Sequence, residues 1–247
     1  MSDPLVSVIV PLYNYRNYIR DCIQSIKNQD YLNYELFVID DCSTDDSYEV
    51  AKSFQNEKIK VIKLDVNRGY STAKNEAIIM SQGDLITCLD ADDMMTKDSI
   101  SVRVRALLEN DSLFIHAMAL TVSKKSTLKM CYGIVKGKRQ NPRIHAQTVM
   151  LKREVHQKFG LYDEKLRSRS DKEMWWRLFG KNDGCACKIS KYFLKHDVAY
   201  YRLHNKSMMA KRRKDSKLQE RLTKQLEKAY RMRQKEITVN NTRFLER

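Results

Sequence analysis

Leu85-Ile86-Thr87-Cys88-Leu89-Asp90-Ala91-Asp92-Asp93 is the stretch on which the fold turns. The run from Leu85 to Leu89 predicts a buried strand, and three carboxylates crowd at its carboxyl end. Like charges this close raise each other's pKa and repel, so the tetrad costs stability unless a cation sits there. Oxygen-only ligands suit Mg²⁺ or Mn²⁺, the usual companions of a diphosphate. A structural reading competes: Asp92 or Asp93 caps a helix that begins near Lys97.

Working outward, the same pattern recurs upstream. Val6 to Val10 predicts a strand followed by Tyr13 and Asn14, then a helix from Tyr15 to Asn28 with Tyr18, Ile19, Cys22, Ile23 and Ile26 on one face. Leu36 to Ile39 is a second strand ending in Asp40 and Asp41. A short helix from Ser47 to Phe54 follows the cap candidates Ser43, Thr44 and Asp45. Ile59 to Leu64 is a third strand, with Asn67 to Ser71 after it and a helix from Ser71 to Met80. Strand–helix alternation with apolar strands predicts an α/β fold, a mainly parallel sheet with helices on both faces. Ligands of such sheets bind beyond the carboxyl ends of the strands, where all four polar clusters fall.

Past Glu109 the pattern loosens. Leu113 to Val122, Leu128 to Val135 and Gln147 to Leu151 predict further strands, some antiparallel. Asp171 to Phe179 reads as a helix, Val198 to His204 as a last strand, and Asp215 to Glu236 as a basic helix with Leu218, Leu222, Leu226 and Ala229 on one face.

Composition bounds the class. The 247 residues suit one large domain, or one domain and a tail. No apolar run reaches membrane-span length, and Met1 to Pro4 lacks signal-peptide character. Six cysteines without a paired framework suggest free thiols in a reducing, cytoplasmic setting. Cys185-Ala186-Cys187 is too closely spaced for an ordinary zinc knuckle. The net charge is +15; Lys206 to Arg247 holds 14 Lys or Arg against 5 Asp or Glu, so +9 of it lies in the tail. That tail reads either as a solvated helix packed on the body by its leucine face, or as a peripheral contact with an anionic membrane. Lys211-Arg212-Arg213-Lys214 would bind nucleic-acid phosphates only without specificity, since no reader motif accompanies it.

These residues, taken in order, resemble family 2 glycosyltransferases of the GT-A (Rossmann-like) fold over roughly residues 5 to 208. Val6 to Asn14, with Pro11 and Tyr13, is similar to the family's opening strand and nucleotide loop. Ile39 to Asp45 resembles its acidic turn, with Cys42 where glycine or asparagine is commoner. Asn67 to Asn75 resembles its basic loop, with Lys74 where arginine is usual. Asp90-Ala91-Asp92 resembles its metal motif. Gly160 to Glu164 with Ser170 to Trp175 resembles the segment of the catalytic base, although Ser170 stands where an acidic residue is usual. Tyr201 to Ser207 resembles a late motif.

The resemblance implies a nucleoside diphosphate sugar donor, chiefly a UDP-sugar, and a Mn²⁺ or Mg²⁺ cofactor. It implies residues 1–110 as the nucleotide-sugar half, 111–208 as the acceptor half and 209–247 as a basic helical tail. Asp41 would accept from the ring N–H of uracil and Tyr13 would stack on the base; their structural alternatives are a turn residue and a half-buried aromatic. Lys74 would lie near the diphosphate, or on a solvated helix face with Arg68 serving instead. Asp92 would touch the metal, Asp90 the ribose or the metal through water, and Asp93 would join them or only cap the next helix. His204 would ligate the metal or bind a phosphate, or be structural. Asp171 would be the general base of an inverting transfer, with Glu173 and Asp163 as rivals and a helix-starting Asp as the alternative. Of Trp175 and Trp176, one would pack in the core and the other line an acceptor pocket. The acceptor is a glycan, a lipid-linked sugar or a protein. A catalytically silent sugar-nucleotide-binding module and a nucleotidyltransferase of similar fold are the alternatives in function; no glycine-rich phosphate loop supports the latter.

Overall fold

The computed structural model describes residues 3–123, 138–139, 144–180, 189–204 and 216–245, with side chains of the last helix as far as Met232. The predicted strand at Leu128 to Val135 lies outside these residues.

β1 (Val6–Leu12) is buried along its whole length and pairs in parallel with β2 (Tyr34–Asp40) and β4 (Leu85–Cys88); β3 (Ile59–Lys63) adds in parallel beyond β2. Two-sided burial is why these strands are continuously apolar. The pleat then divides them. Val8, Val10, Leu36 and Val38 face one core, and Ile9, Phe37 and Ile39 face the other. The first core is covered by α1 (Ile19–Lys27) and α4 (Ser99–Glu109). α1 places Ile19, Cys22, Ile23 and Ile26 against it at i, i+3, i+4 and i+7. The second is covered by α3 (Tyr70–Met80), α5 (Arg153–Phe159) and α6 (Ser170–Phe179). The short α2 (Ser47–Lys52) completes the first half, and helices on both faces are as the sequence predicts.

The sheet continues past β4 in the order β3-β2-β1-β4-β8-β6-β9-β5. β8 (Met150–Lys152) runs antiparallel to both β4 and β6 (Phe114–Ser123), while β9 (Lys191–Leu203) runs parallel to β6. β7 (Lys138–Arg139) pairs with β6. β9 begins at Lys191, earlier than the predicted Val198. The expected mixture of parallel and antiparallel strands is present. α7 (Ser216–Leu245) packs on the body through Leu226 and Ala229, which bury against Leu166 and Trp176.

Two features position the site. Pairing of β1 with β4 stops at Ile9↔Cys88, so Pro11, which has no N–H to donate, lies where β4 has already diverged. Strand order reverses between these two strands, the switch point at whose carboxyl ends the ligands of such sheets bind. Directly after the acidic tetrad the chain forms β5 (Met94–Met95), antiparallel to β9 with Met94↔Tyr200. The capping reading of Asp92 and Asp93 is thereby corrected: α4 starts only at Ser99, with Asp98 as its N-cap residue.

Candidate active site

Asp90, Asp92 and Asp93 each present an oxygen within 4.8 Å of the others. Burial, then Asp92, push the Asp90 carboxyl up to about 6. Burial, then Asp92 and Asp90, raise Asp93 further. The cluster is held from both sides. Asp93 Oδ1 accepts from the Arg202 N–H of β9 at 2.9 Å, and the Tyr70 hydroxyl donates to Asp90 Oδ1 at 2.6 Å. The β5–β9 pairing carries His204 back over the tetrad, where its Nε2 lies 2.8 Å from Asp92 Oδ2. Tyr15 hydrogen-bonds Asp92, and burial, followed by the three carboxylates, raises its phenol strongly. Tyr18 packs on His204 at 4.7 Å between ring centroids, with the rings tilted by 31°.

The donor set suits a hard divalent cation. Among the described residues Asp93 Oδ2 and His204 Nδ1 are buried without a hydrogen-bond partner, and three carboxylates converge with their charge only partly offset by Lys74 and Arg202. Asp90, Asp92 and Asp93 could therefore hold such an ion, with His204 beside them.

Asp171 sits at the start of α6, where its Oδ1 is paired with Lys74 Nζ. Lys74 is fully buried rather than on a solvated helix face, which corrects that alternative. Burial, the largest single influence, opposes its charge, but Asp171, Tyr162 and Cys88 together hold the ammonium well above its usual range. Nζ also lies 3.5 Å from the Tyr162 ring centroid and 4.9 Å from that of Tyr70. A continuous path thus runs from Asp171 through Lys74 and Tyr70 to Asp90. The ammonium expected near a diphosphate is paired with Asp171.

The rival carboxylates are occupied elsewhere. Glu173 is buried against Arg177 at 3.0 Å, and Asp163 Oδ1 accepts from the Lys165 N–H at 2.9 Å. Trp175 packs in the core, T-shaped on Phe114 at 5.1 Å. Trp176 packs against α7, T-shaped on Tyr230 at 5.8 Å.

At the nucleotide end, Tyr13 is 42% exposed and so has a ring face to offer, which sets aside its reading as a half-buried aromatic. Asp41 is a loop anchor: its two oxygens accept from the N–H groups of Arg68 (2.7 Å) and Gly69 (2.8 Å). The β1–α1 and β2–α2 loops are stitched together by Asn14, whose Oδ1 accepts from the Thr44 N–H at 2.8 Å and whose own N–H donates to Ser43 Oγ at 2.9 Å. Cys42 has φ 59°, the left-handed region that favours glycine or asparagine, so the commoner residues there have a backbone reason. Tyr70, Tyr162 and Arg202 carry no signal of their own as site residues in the sequence. Each lies inside a motif of the resemblance, but their roles depend on contacts across the fold.

Residues 7–166 match the sequence profile of glycosyl transferase family 2. The chain belongs to that family. A provisionally named teichuronic acid biosynthesis glycosyltransferase, TuaG, of Bacillus subtilis (strain 168) is 30% identical over 222 residues, covering 87% of this chain and 85% of its own. Glycosyltransferase GlyG of Streptococcus pneumoniae serotype 4 is 34% identical over 110 residues, 44% of this chain and 36% of that one. Among solved structures, S. aureus TarS 1-349 in complex with UDP-GlcNAc superposes with a TM-score of 0.66 at 20% identity, over 83% of this chain and 60% of that one. Mannosyltransferase PcManGT from Pyrobaculum calidifontis, in complex with GDP-Man and Mn²⁺, gives 0.65 at 18%, over 86% and 61%. The fold is therefore shared with glycosyltransferases of the GT-A type, and this family 2 chain spans less than two thirds of those two solved chains. None of its described helices is long and apolar enough to cross a membrane.

Proposed function

We propose that this family 2 chain transfers a sugar, with inversion, from a nucleoside diphosphate sugar to an acceptor hydroxyl. The observation that carries the reading is the path from Asp171 to Asp90, which joins a partly exposed carboxylate to the acidic cluster beyond the end of β4. A UDP-sugar is the favoured donor, in keeping with the UDP-GlcNAc bound by TarS. Tyr13 stacks on the base, beside Pro11 at the end of β1. Asp41 shapes the Arg68–Gly69 loop and takes the uracil N–H on a remaining lone pair. Asp92 holds a divalent ion, Mn²⁺ or Mg²⁺, with Asp90 in support and His204 adjoining. When bound, the ion neutralises charge on the departing diphosphate.

Asp171 acts from the acceptor side. A buried ammonium requires an anionic partner, so Lys74 holds the Asp171 carboxylate in place at the site. Its carboxylate takes the acceptor O–H proton as that oxygen bonds to the anomeric carbon. The bond from that carbon to the diphosphate oxygen breaks on the opposite face, and its electron pair leaves with the nucleoside diphosphate.

Residues 1–110 form the donor half and 111–208 the acceptor half. The 209–247 tail is assigned a peripheral contact with anionic membrane. Lys217, Arg221, Lys224, Lys228 and Arg231 recur at helical spacing and are exposed, while Leu226 and Ala229 face the body. Titration calorimetry with UDP and Mn²⁺ tests the donor site: binding should need the metal and be lost in Asp92→Ala, and metal-indifferent binding contradicts it. Pyrophosphate release from a nucleoside triphosphate would instead identify a nucleotidyltransferase.

A further inference from the structure

Arg169 directly precedes α6, two residues before Asp171, with φ 65° and ψ 16°. A long L side chain in the left-handed region is strained, so the surroundings must hold it there. The holding contacts come from α7. Arg169 Nη1 donates to Thr223 Oγ1 at 2.8 Å, and Nη2 donates to Gln219 Oε1. Gln219 and Thr223 are one turn apart on one helix face, and the Thr223 hydroxyl also donates to the Gln219 carbonyl at 2.9 Å. Both acceptors are uncharged, so the fork fixes direction more than it neutralises charge.

The same short segment is gripped from its other end. Ser71 of α3 donates to the Leu166 carbonyl at 2.9 Å, and the Leu166 side chain packs with Trp176, Leu226 and Ala229. Residues 166 to 171 are thus pinned between α3, which also supplies Lys74, and α7. Lys74 fixes one oxygen of Asp171, while the backbone that carries Asp171 is set by Arg169.

We propose that Arg169, through its fork to Gln219 and Thr223, is a positioning residue that makes α7 an internal brace for the general base. The proposal rests on Asp171 being that base. Misplacing a reacting group by an ångström costs roughly a hundredfold in rate. UDP release from UDP-glucose, UDP-galactose and UDP-N-acetylglucosamine with Mn²⁺, in the full chain, supplies kcat and donor KM. Arg169→Ala should lower kcat by roughly 10- to 100-fold and leave donor KM within about twofold. Arg169→Lys should restore little of it, because an ammonium cannot fork. The α7 pair Gln219→Leu with Thr223→Val should reproduce the loss and add nothing to Arg169→Ala. Amide exchange at Ser170 to Lys172 should quicken in both variants, a readout that needs no turnover. Unchanged kcat and unchanged exchange in the α7 pair, beside an inactive Asp171→Asn, overturn the brace alone. An active Asp171→Asn overturns the base assignment and the brace with it.

Discussion

Lys74 follows a loop of polar residues, Asn67 to Ser71, yet none of its side chain reaches solvent. Its partner Asp171 keeps 25% of its own exposed, and this asymmetry sets an order of damage. Asp171→Ala strands a buried ammonium and should cost about 3 kcal/mol in urea unfolding, in line with broken buried pairs. Lys74→Met keeps the packing on Tyr162 and leaves a carboxylate that water reaches, so about 1 kcal/mol is expected. The reverse order would contradict the pairing. Asp90 gives a pH prediction. Its folded pKa, about 6, is raised above the unfolded value, so the native state binds the extra proton more tightly. Without metal, stability should rise as pH falls from 7 toward 5, and Mn²⁺ affinity should fall over the same range. Thermal melts with and without Mn²⁺ check both; metal-free stability that falls on acidification to pH 5 would count against the cluster.

At the scale of elements, the first four strands and the helices between them were legible because each carries one periodicity and one polar end. The two-residue β5 was not. Met94 and Met95 are buried only because β9 returns beside them, and no local pattern announces a partner a hundred residues away. That return also unites Asp92 with His204. Arg103 was equally hidden: it is buried in α4 and donates to Thr87 Oγ1 at 2.6 Å and to the Val149 carbonyl at 3.1 Å, tying α4 to β4. Burial lowers its guanidinium to about 9. The leucine face of α7 was legible, but not its target, Trp176 on α6. Trp176→Ala should cost about 2 kcal/mol, less than a fully buried tryptophan, and lower the melting temperature by roughly 4–8 °C. A melt unchanged by the substitution would mean that α7 does not dock there.

For the whole molecule, charge and chemistry are separated along the chain. The end of β4 is acidic, whereas most of the +15 belongs to the C-terminal segment. The five-cation stripe on α7 should bind vesicles of anionic phospholipid and not of phosphatidylcholine, with binding that fades as salt rises from 50 to about 300 mM. Sedimentation with vesicles checks this, and replacing the five cations with glutamate should abolish it. Equal binding to both vesicle types would contradict it. The central claim is metal-dependent transfer with Asp171 as base, and nucleoside diphosphate release from a panel of sugar nucleotides tests it most directly. The account predicts release from at least one donor that requires Mn²⁺ or Mg²⁺ and falls at least a hundredfold in Asp171→Asn, while that variant still binds UDP. Release that persists in Asp171→Asn, or that is indifferent to chelation of the metal, would contradict it.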